Sequence, residues 1–146
     1  MAAIFSRVGL LLVGSAILAF VSQECFAPDR FHFALQNWRV QEILASNLSD
    51  LRPVPIIADA REPDAYAASH IPQAIPLSEG NWDADLIEFL NEWTPTRPVV
   101  VYCGGGTCGI SKRIAVRLMN DLPQSTIYVL KGGYPAWQNY QAANSR

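Results

Sequence analysis

The chain has 146 residues, half of them apolar, which is enough for one domain of ordinary size with at most a short appendage. Its 11 basic and 13 acidic residues give a net charge of −2, so there is no electrostatic case for a nucleic-acid partner. Three cysteines are too few for a disulfide scaffold, and the two histidines add no paired ligands for a structural zinc site. We therefore expect small-molecule partners and no metal or other cofactor.

The most hydrophobic stretch is near the N-terminus, where residues 8–21 carry no charge and follow a short start with one basic side chain, Arg7. This run is shorter than the roughly twenty residues that span a bilayer, but it lengthens if Arg7 reaches toward the lipid headgroups. The alternatives are a cleaved secretory signal, for which residues 22–30 offer no good cleavage site, and a buried core helix. We predict an uncleaved signal-anchor or transmembrane helix over residues 1–24. The protein is then a single-pass membrane protein with its domain on the extracytoplasmic side.

Residues 25–37 are predicted to be a linker whose two phenylalanines, Phe31 and Phe33, either lie at the membrane interface or pack against the domain. The domain is predicted over residues 38–141, followed by a polar tail over residues 142–146. Its first predicted element is a helix over residues 38–44, which polar residues and two prolines bring to an end.

The rest of the domain alternates short apolar strands with amphipathic helices. Strands are predicted over residues 56–58, 75–77, 99–102 and 127–130, and helices over residues 62–68, 81–93, 110–122 and 134–140. The apolar face of the second of these helices is predicted to consist of Leu86, Phe89, Leu90 and Trp93. Buried strands alternating with helices indicate a mainly parallel sheet with helices on both faces. In such sheets, ligands bind at the carboxyl ends of the strands.

Polar side chains follow the first of these strands. Asp59 and Arg61 are predicted to form either an ion pair that holds neighbouring loops or part of a ligand site. His70 is predicted to be a hydrogen-bonded turn residue rather than a catalytic base, because the sequence shows no partner for it.

The strand over residues 99–102 runs directly into Cys103 and three glycines, and a helix begins shortly afterwards. A helix N-terminus favours thiolate over thiol, and glycines let backbone amides turn toward an anion. This position predicts a nucleophilic sulfur in an anion-binding loop; the alternative is a buried, inert cysteine beside a tight turn. Because Gly109 stands six residues after Cys103, where oxyanion-binding phosphatase loops have arginine, phosphoryl transfer is disfavoured.

Three motifs resemble those of the rhodanese-like sulfurtransferases, in the family's order and over about residues 36–140. They are IIADAREPDAYAASHIPQAIPL at residues 56–77, the cysteine loop, and KGGYPAW at residues 131–137. The resemblance implies a three-layer α/β fold, here preceded by one N-terminal hydrophobic helix. It also implies a thiol that accepts sulfane sulfur as a persulfide. For the Asp59–Arg61 pair it favours the structural role, with Arg61 as a secondary anion contact.

The resemblance has two departures. Cys108 stands where many members have arginine, as in a subgroup with a Cys-x-x-Gly-x-Cys-x-x-Ser loop. Ser69 and Gln73 replace the two glycines that flank His-Ile-Pro, which we expect to alter a turn rather than the chemistry.

The leading hypothesis is therefore a thiosulfate sulfurtransferase-like enzyme. Cys103 takes sulfur from a small anionic donor such as thiosulfate and passes it to a thiol or cyanide. The predicted substrate contacts are Gly104, Gly105, Gly106, Thr107, Cys108, Gly109, Ser111 and Arg61. Lys112 or Arg113 either draws anions to the site or belongs to a solvated helix face. The alternatives are a redox or sensing loop in which Cys108 is the partner of Cys103, and a non-catalytic binding module tethered to the membrane.

Overall fold

The computed structural model describes residues 40–106 and 109–145, which lie within the second of the two units into which the chain divides, Gln36–Arg146. The predicted N-terminal helix over residues 1–24, the linker over residues 25–37, Thr107 and Cys108 lie outside the described residues and stay predictions. Within the described ranges, every helix is too short or too polar to cross a membrane.

In the described part of the chain, five parallel strands form one sheet. They are β1 (Gln41–Ile43), β2 (Ile56–Asp59), β3 (Ile75–Pro76), β4 (Val99–Tyr102) and β5 (Ile127–Leu130). Their order across the sheet is β1-β5-β4-β2-β3, and every neighbouring pair is parallel. The central strand, β4, is wholly buried, as its run of β-branched and aromatic residues predicts.

Helices cover both faces of the sheet, which confirms the predicted three layers. They are α1 (Pro63–Ala68), α2 (Trp82–Glu92), α3 (Gly109–Asp121) and α4 (Gly133–Asn144), together with a short 3₁₀ helix (Ala45–Asp50). Because successive strand residues point to opposite faces, Val99 and Val101 pack with α2 and α3, whereas Val100 and Tyr102 pack with α4 and the 3₁₀ helix.

The predicted helix over residues 38–44 is wrong where the structure describes it, because Gln41–Ile43 form β1. The strand pairs with β5 at the sheet edge, and the backbone N–H of Lys131 donates to the carbonyl oxygen of Ile43 at 2.9 Å. Of its three residues only Ile43 is buried. A strand this short shows no readable alternation, so its pairing with β5 decides its conformation.

The buried side of α2 also differs from the prediction. Phe89 is buried and Leu86 and Trp93 pack against the core as predicted, but Leu90 is 42% exposed. Trp82 and Asp85, which were not predicted for this face, are buried. The carboxylate of Asp85 accepts hydrogen bonds from the backbone N–H and the hydroxyl of Ser78, at 2.8 and 2.9 Å. Because a carboxylate counts as polar in a hydropathy pattern, the pattern does not indicate that Asp85 lies on the buried side of the helix.

The turn around His70 follows the sequence-based expectation. Nδ1 of His70 donates to the carbonyl oxygen of Tyr66 at 2.9 Å, and the two rings stack with centroids 4.2 Å apart. Gln73, which replaces a family glycine, has φ = 65° and therefore lies in the left-handed region that glycine adopts more easily. Ser69, at the other replaced glycine, is in extended conformation.

Candidate active site

Cys103 lies at the carboxyl end of β4, before α3 begins, and its side chain is buried. Its carbonyl oxygen accepts a hydrogen bond from the backbone N–H of Tyr134 at 2.8 Å, so the first turn of α4 fixes its backbone. In the loop that follows, Gly105 and Gly106 have φ of 103° and 69°. Side-chain-bearing residues rarely adopt such angles, which explains why glycine occupies both positions.

The sulfur of Cys103 contacts a hydroxyl group. The hydroxyl of Ser111, in the first turn of α3, donates to Sγ at 3.4 Å, and Ser111 is itself buried. Unpaired N–H groups at a helix start and a hydroxyl donor both stabilise negative charge on sulfur. The structure also records Cys103 as disulfide-bonded, and no other cysteine lies within residues 40–106 or 109–145.

A cavity of about 440 Å³ opens at this sulfur. Its described lining residues are Glu42, Cys103, Gly106, Gly109, Ser111, Lys112, Val129, Leu130, Lys131, Gly132 and Gly133. The structure therefore brings four predicted site residues together around one space, namely Cys103, Gly106, Gly109 and Ser111. Gly104, Gly105 and Arg61 are not among the lining residues, and Thr107 and Cys108 lie outside the described part of the chain.

Two charged residues of this cavity were missed in the sequence analysis. Lys131 directly follows β5, and Glu42 belongs to β1, the strand predicted as a helix. Glu42 Oε1 lies 3.1 Å from Nζ of Lys112 on α3. Parallel sheets bind ligands at the carboxyl ends of their strands. Applied to β5 as well as to β4, this rule predicts that Lys131 lies at the site.

Arg61 is held in a structural cluster beside the loop, which agrees with the predicted ion pair. Its guanidinium donates three hydrogen bonds to the buried carboxylate of Asp59, from Nε at 3.0 and 3.1 Å and from Nη2 at 2.6 Å. Its Cζ atom lies 4.3 Å from the ring centroid of Tyr134. The hydrogen bond to Asp59 raises the pKa of Arg61. Arg61 also donates to the carbonyl oxygen of Ser69.

The same carboxylate joins β2 to β4. The hydroxyl of Tyr102 donates to Oδ2 of Asp59 at 2.5 Å and accepts the backbone N–H of Ile71 at 3.2 Å. Burial, followed by the hydrogen bond to Asp59, raises the pKa of Tyr102. Tyr102 immediately precedes Cys103, so this cluster fixes the end of the strand that carries the thiol.

The turn between β5 and α4 packs directly against the cysteine loop. Gly132 and Gly133 have φ of 75° and 60°. A Cβ added at Gly133 would overlap the carbonyl oxygen of Cys103 and lie 2.8 Å from the backbone nitrogen of Gly105. The two glycines therefore allow a backbone-to-backbone approach that no side chain permits.

A larger cavity, of about 710 Å³, lies beside the amino-terminal end of β2, away from the strand ends that carry the thiol. Its described lining residues include Ile56, Arg97 and Trp137 but no cysteine. We therefore place the candidate active site at the smaller cavity, which Cys103 lines.

Comparisons with known proteins identify the family of the chain. The model of the rhodanese-like domain family matches residues 40–140. The chain is 30% identical over 83 residues to the thiosulfate sulfurtransferase GlpE of Pseudoalteromonas translucida, covering 57% of this chain and 72% of that protein. It is 32% identical over 83 residues to the GlpE of Coxiella burnetii strain RSA 331, and the match covers 57% of this chain and 71% of that protein.

Solved structures show the same fold. The BH2092 protein of Bacillus halodurans superposes with a TM-score of 0.57 at 19% identity, covering 78% of this chain and 82% of that chain. A rhodanese-related protein of Thermoplasma volcanium gives a TM-score of 0.51 at 21% identity, and the match covers 68% of this chain and 92% of that chain. The predicted three-layer α/β architecture is therefore confirmed.

Proposed function

The chain belongs to the rhodanese-like domain family, and from this membership we propose that it is a sulfurtransferase of the thiosulfate type with Cys103 as its nucleophile. The observation that carries the proposal is the buried Cys103 sulfur at the carboxyl end of β4, which contacts the Ser111 hydroxyl and borders a cavity of about 440 Å³. Because the sulfur is disulfide-bonded in this structure, the proposed reaction begins from the reduced chain. The names of the GlpE relatives support thiosulfate as a donor.

The proposed reaction has two steps. The Cys103 thiolate attacks the outer sulfur of thiosulfate, a new S–S bond forms on Cys103, and the S–S bond of thiosulfate breaks as sulfite leaves with the electron pair. An acceptor such as cyanide then attacks the outer persulfide sulfur, so thiocyanate leaves and the Cys103 thiolate is restored. Each step is a displacement at sulfur and needs no external oxidant or reductant.

The surrounding residues have separate roles in this proposal. Ser111 stabilises charge on the cysteine sulfur, and the backbone of the loop from Gly104 to Gly109, including Thr107 and Cys108, holds the anionic donor. Lys112 and Lys131 line the cavity and attract anions. Arg113 instead forms an ion pair with Glu79, its Nε lying 2.6 Å from Oε1.

The proposal is tested by steady-state turnover of the reduced full chain with thiosulfate and cyanide. Wild type is expected to release thiocyanate, and Cys103→Ser is expected to release none above the uncatalysed rate. Thiocyanate release by Cys103→Ser at the wild-type rate would contradict the role given to Cys103.

A second candidate function is redox chemistry at the same loop, favoured by the disulfide recorded at Cys103. In this proposal the Cys103 thiolate attacks hydrogen peroxide, the O–O bond breaks as hydroxide leaves, and a sulfenic acid forms. Cys108 then displaces water to form a disulfide, which a thiol reductant reopens. Mass analysis of peptides after mild peroxide treatment tests it: a Cys103–Cys108 bond is expected, and two unmodified thiols would exclude this candidate.

We also propose that residues 1–24 anchor the domain to a membrane, with the domain on the extracytoplasmic side. The uncharged run over residues 8–21 supports this proposal. The full chain is then expected to sediment with membranes and to resist extraction by alkaline carbonate. Recovery in the soluble fraction at the mass of a shortened chain would indicate a cleaved signal instead.

A further inference from the structure

Three charged side chains of both signs surround the Cys103 cavity within the described residues. Lys112 and Lys131 are positive and Glu42 is negative, and the three come from different elements. The carboxylate of Glu42 lies 3.1 Å from the ammonium group of Lys112, and the two side chains are 39% and 40% exposed, respectively. Both side chains are therefore accessible to solvent at the cavity that they line.

This arrangement is poorly suited to an inorganic dianion alone. Two lysines would attract thiosulfate, but Glu42 repels it and competes with it for Lys112. The cavity of about 440 Å³ falls within the range of pockets that hold small organic ligands. A ligand with an ammonium group and a carboxylate can pair with both signs of charge while its sulfur faces Cys103.

We propose that Glu42 is a specificity-determining residue that directs this site toward amino-acid persulfides, whose free ammonium group it recognises. The inference rests on the proposed sulfurtransferase function and names the donor class. The Cys103 thiolate attacks the outer sulfur of the persulfide, forming a new S–S bond as the donor's S–S bond breaks. The amino-acid thiolate leaves with the electron pair, so no oxidant is consumed.

The test compares cysteine persulfide with N-acetylcysteine persulfide, in which an uncharged acetamide replaces the ammonium group. The initial rate of sulfur transfer to the reduced full chain is measured for wild type and for Glu42→Gln. Wild type is expected to transfer sulfur roughly fivefold faster from the amine-bearing donor. Two opposite unit charges about 4 Å apart attract each other enough, even in water, to change a binding constant by about that factor. Glu42→Gln is expected to lose this preference and to gain rate with thiosulfate.

The control variant is Glu88→Gln, which makes the same change of charge at an exposed position on α2 outside the Cys103 cavity. It is expected to keep the wild-type preference. In wild type alone, raising the salt concentration is expected to shrink the preference, because the Glu42 carboxylate is exposed to screening ions.

Equal donor ratios in wild type and Glu42→Gln would overturn the role of Glu42 while leaving the proposed function intact, because sulfur would still be transferred. A preference unaffected by salt would overturn it in the same way. No sulfur transfer to wild type from any donor would overturn the proposed function, and the inference with it.

Discussion

The Ser111 hydroxyl is the group whose removal tests the environment of the sulfur most selectively, since it donates to Cys103 Sγ at 3.4 Å. We expect Ser111→Ala to slow sulfur uptake at neutral pH by roughly tenfold, because a hydrogen bond to a charged group contributes about 1.5 kcal/mol or more. Initial rates of sulfur uptake from thiosulfate by the reduced full chain check this prediction.

Ser78→Ala is the matched control, because Ser78 is also buried and its hydroxyl donates to Asp85 rather than to the thiol. It is expected to lower the free energy of unfolding and to leave the rate of sulfur uptake unchanged. A wild-type rate in Ser111→Ala would show that its hydroxyl does not stabilise the charged sulfur.

Gln73 is a residue where the chain holds backbone strain, with φ = 65°. A side chain in the left-handed region is disfavoured, so Gln73→Gly is expected to raise the free energy of unfolding by roughly 0.5–1 kcal/mol after the entropy of glycine is counted. Denaturant titration measures this change. Gln141→Gly, within α4, is expected to have the opposite sign, and a loss of stability in both variants would contradict the strain at Gln73.

At the scale of elements, the β5–α4 turn holds the cysteine loop in place. Gly133→Ala would force a methyl group onto the Cys103 carbonyl oxygen and is expected to lower the free energy of unfolding by roughly 2 kcal/mol or more. Since the loop must move, sulfur transfer is expected to fall even under conditions where the variant remains folded. Thermal unfolding and thiocyanate release measured on the same sample test both effects.

Gly80→Ala is the control for that variant, because the nearest atom to an added Cβ there is Glu62 Oε2 at 3.9 Å. It is expected to leave sulfur transfer unchanged. Wild-type transfer in Gly133→Ala would mean that the cysteine loop does not depend on the turn.

Most strands and helices could be predicted from the sequence, because their hydrophobic patterns are either continuous or long enough to show a clear period. Val99–Tyr102 is a continuous β-branched and aromatic run, and α3 has apolar residues at helical spacing. Gln41–Ile43 could not be predicted, because three residues with one buried side chain carry no period and their conformation depends on pairing with β5. The buried face of α2 was predicted in part: Leu90 is exposed, and the burial of Asp85 was missed because its carboxylate is hydrogen-bonded to Ser78 inside the fold.

The candidate site divides in the same way. Cys103 and Ser111 were predicted because they lie close in the sequence, on a strand end and the following helix. Glu42 is 61 residues before Cys103 and reaches the cavity only because β1 pairs with β5 at the far edge of the sheet. Contacts that depend on the order of strands cannot be read from spacing along the chain.

At the scale of the whole molecule, an exposed ion pair joins α3 to the segment before α2. The hydrogen bond from Arg113 lowers the pKa of Glu79 in the folded state. The pair therefore stabilises the fold above the ordinary carboxyl pKa, and this contribution is lost as the pH falls through the lowered value. Because both side chains are substantially exposed, we expect Glu79→Gln to lower the free energy of unfolding by roughly 0.2–1 kcal/mol at pH 7 and by less at pH 3.

Urea unfolding at the two pH values measures that difference. Glu88→Gln serves as control, because Glu88 takes part in none of the salt bridges of the described residues. If Glu79→Gln lowered the free energy of unfolding more at pH 3 than at pH 7, the lowered pKa of Glu79 would be contradicted.

The central claim is that Cys103 carries sulfur, and intact-mass measurement of the reduced full chain after incubation with thiosulfate tests it most directly. We predict a gain of one sulfur atom on the peptide that contains Cys103, absent in Cys103→Ser and removed by cyanide with release of thiocyanate. A chain that gains no sulfur, or gains it equally in Cys103→Ser, would contradict the account.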